Sequence, residues 1–229
     1  MIVGFVNAAN MADGMNGQLL GSILIWSWFI SRYLGPELEM PYYAIFCSGL
    51  VTLAFNLKGR LFSGSAGAYA ASLFLALGTV AAYRRGGALS AIEPILWFWV
   101  PVVDCLRLIV VRLLARKSPV RGDRNHIHHI LLAYLPPRFA LLAYLILVGA
   151  PGMAAAFTNH RQTGLVVLIP CAAFYAGLVL AHSLRRQSAV KPAPAYSRAD
   201  LFFGATNDKI GPEPRVGIAS ADRAMTSSH

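Results

Sequence analysis

Six apolar windows, near residues 18–33, 41–57, 67–83, 91–113, 139–157 and 163–184, constrain this chain more than any other feature. Each approaches the roughly 17 to 25 residues that a helix needs to cross a hydrocarbon core of about 30 Å. Their apolarity is continuous rather than alternating with period two, which predicts helices and excludes an outer-membrane barrel. A hydrophobic content of 56 % against 13 % charged residues, with mean hydropathy of +0.54, agrees. The expected fold is an all-α, polytopic integral membrane protein with about six transmembrane helices.

The net charge of +10 would suggest nucleic acid in a soluble domain, but here the basic residues sit in short loops between the windows. That distribution reads as membrane topology, with no nucleic-acid partner. Alternate connections place Lys58, Arg60, Arg112, Arg116, Lys117, Arg121, Arg124 and Arg138 on one side and Arg32, Arg84, Arg85 and Arg161 on the other. The excess assigns the first side to the cytoplasm. Cys47, Cys105 and Cys171 lie in apolar stretches without CxxC spacing and predict neither a disulfide framework nor a zinc site. The N-terminus has no basic segment or cleavage site of a signal peptide, and reads as a start partway through something larger. Residues 1–184 are expected to form the membrane part, and 185–229, rich in Pro, Ala, Ser and charge, a disordered cytoplasmic tail.

Nearly all the unusual polar chemistry falls on the cytoplasmic side. "NAANMADGMNG" spaces Asn7, Asn10, Asp13 and Asn16 three apart, along one side of a helical turn, with Gly14 and Gly17 permitting close approach of a ligand. A plain Asn/Asp/Gly turn is the competing reading. "FNLKGRLFSGSAGA" sets Asn56, Lys58 and Arg60 before a small-residue run that either presents N–H groups to a phosphate or simply connects two helices. Asp104 stands inside an apolar window with Arg107 one turn on; an ionised group at a helix centre there costs at least about 2.5–3.5 kcal/mol, so it must face a partner or a polar cavity.

After that helix comes "SPVRGDRNHIHHIL", Ser118 to Leu131. Its histidines suit a transition metal in type, but three within four residues cannot all point at one ion from a regular helix. Beside Arg121 and Arg124 they form instead a donor-rich pocket for a phosphate or diphosphate, or a basic loop drawn to anionic headgroups.

In this order the segments resemble the polyprenyl-phosphate N-acetylhexosamine-1-phosphate transferase superfamily, most closely its undecaprenyl-phosphate GlcNAc-1-phosphate transferase branch. "NAANMADGMNG" is similar to that branch's N-A-x-N-M-x-D-G-x-D-G loop. "PVVDCLRLIVVRLLARKSPVRGDRNHIHHIL" is similar to its P-x-x-D helix followed by S-P-x-x-x-D-R-x-H-I-H-H-L. The resemblance covers about residues 1–184 and corresponds to a C-terminal half. It implies transfer of a sugar 1-phosphate from a UDP-sugar to undecaprenyl phosphate with release of UMP, in the bacterial inner membrane, for cell-envelope glycan synthesis. Mg²⁺ is the implied cofactor. Phosphoryl transfer asks a protein mainly to position two anions and spread developing charge.

The resemblance implies catalytic roles for Asp13, Asp104, His126, His128 and His129. It implies substrate contacts for Asn7, Asn10, Gly14, Asn16, Asn56, Phe62, Arg121, Asp123 and Arg124. Asp13 is the implied Mg²⁺ ligand. Three positions depart from the pattern: Asn16 stands where D-G-x-D-G has its second aspartate, Ser65 where F-M-G-D-x-G-S has its own, and the Asp-Asp motif of the family's N-terminal half has no counterpart. A second chain, or a homodimer, is the partner these departures imply. A non-catalytic membrane protein keeping a degenerate nucleotide-sugar or lipid-phosphate pocket is the alternative. A metal transporter built on the histidines would need acidic groups in several helices, and only Glu93 and Asp104 qualify.

Overall fold

A computed structural model describes residues 2–85, 89–116 and 125–189. They form helices α1 (Ile2–Met11), α2 (Gln18–Ser31), α3 (Pro36–Leu57), α4 (Gly64–Arg84), α5 (Ile92–Leu114), α6 (Ile127–Tyr134), α7 (Pro137–Thr158) and α8 (Arg161–Ala189), with no strand among the described residues. The chain is an all-α, multi-pass membrane protein: α3, α4, α5, α7 and α8 are each long and apolar enough to cross a bilayer.

The window expected at 18–33 forms the shorter α2, whose 14 residues span about 21 Å. Residues 32–35 turn the chain into α3, where Pro36 takes the first helical position and its missing N–H costs nothing. Most of α2 is buried, which is why its sequence is apolar all round. α8 runs on to Ala189, past the boundary at 184 expected for the membrane part. Arg185 lies over the Tyr134 ring at 4.7 Å and Arg186 donates to Asn125 Oδ1, and these contacts hold the added turn. Residues 190–229, the rest of the expected tail, lie outside the described residues.

Two prolines organise the core. Pro101 in α5 and Pro151 in α7 bring no N–H to the carbonyls of Trp97 and Leu147, four residues earlier. In an apolar interior an unmet carbonyl is costly. Trp26 Nε1 donates to Trp97 O at 2.7 Å, and Trp99 Nε1 donates to Leu147 O at 2.8 Å. Each indole thus satisfies a proline-freed carbonyl and ties two helices together. Around them Phe5, Trp26 and Phe98 pack ring against ring, bringing α1 onto α2 and α5.

The connections sort to two ends. Residues 12–17, 56–61 and 125–129 meet at one: Gly17 N–H donates to Asn56 Oδ1, and Gly14 packs on His128. At the other, Arg161 pairs with the buried Glu93 at 2.7 Å and Arg85 pairs with Glu37. The sequence had put these same loops on the same two sides.

Candidate active site

The site begins with a carboxylate that is 3 % exposed. Asp104 on α5 accepts from Arg107 Nη2 at 2.7 Å and from Tyr175 Oη of α8 at 2.9 Å, while its Oδ2 lies 2.9 Å from His126 Nδ1. The Ile127 N–H reaches both carboxylate oxygens at 3.2 Å. His126 is the N-cap of α6, so Asp104 also sits where a helix start favours negative charge. Arg107 continues the network to Asn125 O at 2.6 Å. The expected Asp104–Arg107 pair is present, but as one edge of a closed cluster whose centre joins α5, α6 and α8. Bonding at Nδ1 fixes the imidazole plane and leaves Nε2 as the ring atom of His126 available to a ligand.

The other histidines stack on this one. His126 and His128 are near parallel, with ring centroids 5.6 Å apart, and His129 approaches His128 at 4.2 Å. His128 is 2 % exposed, and no described residue meets its Nδ1. Burial first, then the neighbouring His129 and His126, hold its pKa down to about 3, so the ring is neutral at physiological pH. Its far edge abuts Gly14: a Cβ built there would lie 1.9 Å from His128 Nε2. Gly14 is therefore needed for close packing, where the sequence suggested only approach of a ligand.

The first loop is stitched to the second through Asn56, which is 6 % exposed. Its Oδ1 accepts from Gly17 N–H at 2.5 Å and its Nδ2 donates to Leu61 O at 2.7 Å. Gly17 caps α2 at φ +84°, where Leu57 also leaves no room for a side chain. With a bond at each end of its amide, Asn56 holds the two loops together. Asn10 bonds the Tyr69 hydroxyl at 3.3 Å and so joins α1 to α4. Asn7, Asp13 and Asn16 are exposed and make no side-chain hydrogen bond or ion pair among the described residues. Lost hydration raises the Asp13 carboxyl above its ordinary value. Phe62 is 73 % exposed, and Ser65 is exposed in the first turn of α4. Arg121, Asp123 and Arg124 lie outside the described residues.

The donor set does not suit Mg²⁺ by itself. A hard dication wants several oxygen ligands, preferably carboxylates. Asp104 is enclosed by its partners, which leaves Asp13 as the carboxylate on this face, among the described residues, that is open to a cation. No group of three His, Cys, Asp or Glu among the described residues is arranged to hold a metal ion. The transition-metal reading of the histidines fails on the same ground, since His126 Nδ1 is engaged and its ring lies parallel to His128. Glu93, the other acidic group a transporter would use, is bound at the opposite end by Arg161 and Ser90.

Sequence reasoning missed Tyr175, Asn125, Tyr69 and Arg186. Tyr175 carried one faint signal, a hydroxyl within an apolar window that must find a partner when buried.

Comparison with known proteins follows the motifs. The chain is 30 % identical over 199 residues to the decaprenyl-phosphate N-acetylglucosaminephosphotransferase of Mycobacterium leprae, covering 73 % of this chain and 50 % of that one. It is 30 % identical over 159 residues to a probable undecaprenyl-phosphate N-acetylglucosaminyl 1-phosphate transferase of Bacillus subtilis, with 63 % and 43 % covered. It is 29 % identical over 142 residues to an undecaprenyl-phosphate alpha-N-acetylglucosaminyl 1-phosphate transferase of Yersinia pestis, with 56 % and 38 % covered. The chain thus spans about half the length, or less, of the curated relatives it matches. No family profile and no solved structure matches it.

Proposed function

We propose that this homologue of part of the polyprenyl-phosphate N-acetylglucosamine phosphotransferases contributes the phosphate-facing and nucleotide-facing portion of a sugar-1-phosphate transfer site. The donor is a UDP-linked N-acetylhexosamine, the acceptor a polyprenyl phosphate such as undecaprenyl phosphate, and the released product UMP. The observation that carries this reading is the convergence of the first loop on the histidines, with Gly14 seated on His128 and His126 held by Asp104.

In this reading His126 presents Nε2 to a phosphate oxygen, and Asp104 sets its orientation from a position that touches no substrate. His128, neutral and buried, shapes the floor against which Gly14 lies. The open side chains of Asn7, Asp13 and Asn16, with Asn10 beside them, supply hydrogen bonds and one charge toward the nucleotide sugar. The carboxylates that would complete a Mg²⁺ site come from polypeptide other than the described residues, whether of the same chain, a second chain or another copy. The loop face lies in the cytoplasm of a bacterial inner membrane, as the bias of basic residues supports.

A second reading has its own support: a pocket that binds without turnover. Ser65 and Asn16 bring no charge where the family pattern has aspartates, and Asp104 is committed to the protein itself. One assay separates the two. The full chain, purified in detergent, is given UDP-GlcNAc, undecaprenyl phosphate and Mg²⁺ and followed for UMP release, alone and co-expressed with a polypeptide matching the uncovered part of a relative. Release only on co-expression is expected. Release from the chain alone would overturn the incomplete site, and binding of UDP-GlcNAc without release in either sample would favour the pocket.

A further inference from the structure

α8 stands partly away from α5, and between them runs an open groove of about 630 Å³. One wall is the stripe Ile95, Trp99 and Val103, spaced by four along α5; the other carries Leu168, Ala172 and Val179 of α8. This is a different face of α5 from the one that meets α1, where Phe98 packs on Phe5 and Cys105 approaches Met11. The groove is therefore separate from the open side chains of the first loop.

Its loop-face end is polar and of one sign. Arg107 and Ser183 close the lining there, and the charge of Arg107 is met by Asp104. Arg186 follows Ser183 by one turn and donates to Asn125 Oδ1, while the carbonyl of the same Asn125 accepts from Arg107. That shared residue fixes Arg186 at the groove mouth. Arg185 lies beside it over Tyr134. Both arginines are exposed, and among the described residues no carboxylate pairs with either.

An apolar slot ending beside Arg186, with Arg185 next to it in sequence and no carboxylate among the described residues pairing with either, is complementary to a molecule with one long apolar chain and an anionic head. We propose that the α5–α8 groove is a binding site for an anionic phospholipid, one acyl chain lying between the helices and the phosphate on Arg185 and Arg186. A zwitterionic lipid fills the same slot but brings its own cation to the mouth, so head charge sets the preference. At its loop-face end the groove shares Arg107 and Tyr175 with the Asp104 cluster.

The test uses the full chain in detergent, with native mass spectrometry counting retained phosphatidylglycerol or phosphatidylcholine across a lipid titration. Phosphatidylglycerol should be retained at lower concentration, by about fivefold for each arginine. The double variant R185Q/R186Q should lower it to the phosphatidylcholine level, and R185K/R186K should restore much of the preference and guard against a folding artefact. Ala172→Leu should weaken both lipids alike by filling the slot. Equal retention of the two lipids in the unmodified chain overturns the site, and so does an Ala172→Leu chain that retains both undiminished. Displacement of phosphatidylglycerol by equimolar undecaprenyl phosphate also overturns the assignment and gives the groove to the acceptor.

Discussion

Asp104 and Asp13 carry the same carboxylate on the same end of the bundle and sit in opposite surroundings. Asp104 is buried and surrounded by His126, Arg107, Tyr175 and the Ile127 N–H. Asp13 is exposed and makes no side-chain bond among the described residues. A carboxylate whose lone pairs are already met acts as a joint, holding helices and a histidine in register. One left open keeps its lone pairs unmet among the described residues, and lost hydration raises its pKa. Residue type alone would have given the two the same role.

The most direct way to break this contrast is to remove the charge at the joint. Asp104→Asn keeps the shape but leaves Arg107, whose side chain is 19 % exposed, without its counter-ion. Orphaning a buried charge costs about 3–5 kcal/mol, so the variant should lose most of its resistance to thermal unfolding in detergent. Unchanged unfolding would mean that α8 and α6 are held by other contacts.

Acid tests the same joint from the histidine side. His128 has a folded pKa of about 3 against an ordinary value of 6.5, so between those values the unfolded chain binds the extra proton. Its contribution is complete above about pH 6.5 and declines as pH falls toward 3, with a slope approaching 1.4 kcal/mol per pH unit. His128→Gln should flatten the melting temperature against pH over that window. A profile that stays as steep in the variant would place the acid sensitivity elsewhere.

Gly14→Ala is expected to cost somewhat less, about 1–3 kcal/mol, because the new Cβ and the His128 ring cannot share the space between them. The sharper measurement is a double-mutant cycle: Ala at both 14 and 128 should be less impaired than the two single losses added together. Strict additivity would show that the ring and the glycine do not press on one another in solution.

What the sequence revealed, and what it hid, follows the range of the forces involved. Apolar windows report burial residue by residue, so the spans and the sides of the loops were legible, and the motif order brought the first loop and the histidines to one end. The partners of Asp104 were not legible beyond Arg107, because His126 is 22 and Tyr175 71 residues away and no local pattern encodes that meeting. The structural ties of Asn56 were hidden for a related reason. Its spacing marks it as polar and near the site, but only the fold shows that Gly17 and Leu61 occupy both ends of its amide.

The smallest expected effect on stability is the most informative about function. The Asp13 side chain makes no hydrogen bond or ion pair among the described residues, so Asp13→Asn should change stability by no more than about 0.5 kcal/mol. If its open carboxylate serves the proposed site, the same substitution should abolish UMP release in the complete, co-expressed enzyme, and titration calorimetry should show weakened UDP-GlcNAc binding in the presence of Mg²⁺. Asp104→Asn would also remove activity, but together with the fold. The separation is therefore between a variant that loses function while melting normally and one that loses both. If Asp13→Asn melts early, or retains full activity, the open and the closed carboxylate are not the two distinct devices their surroundings describe.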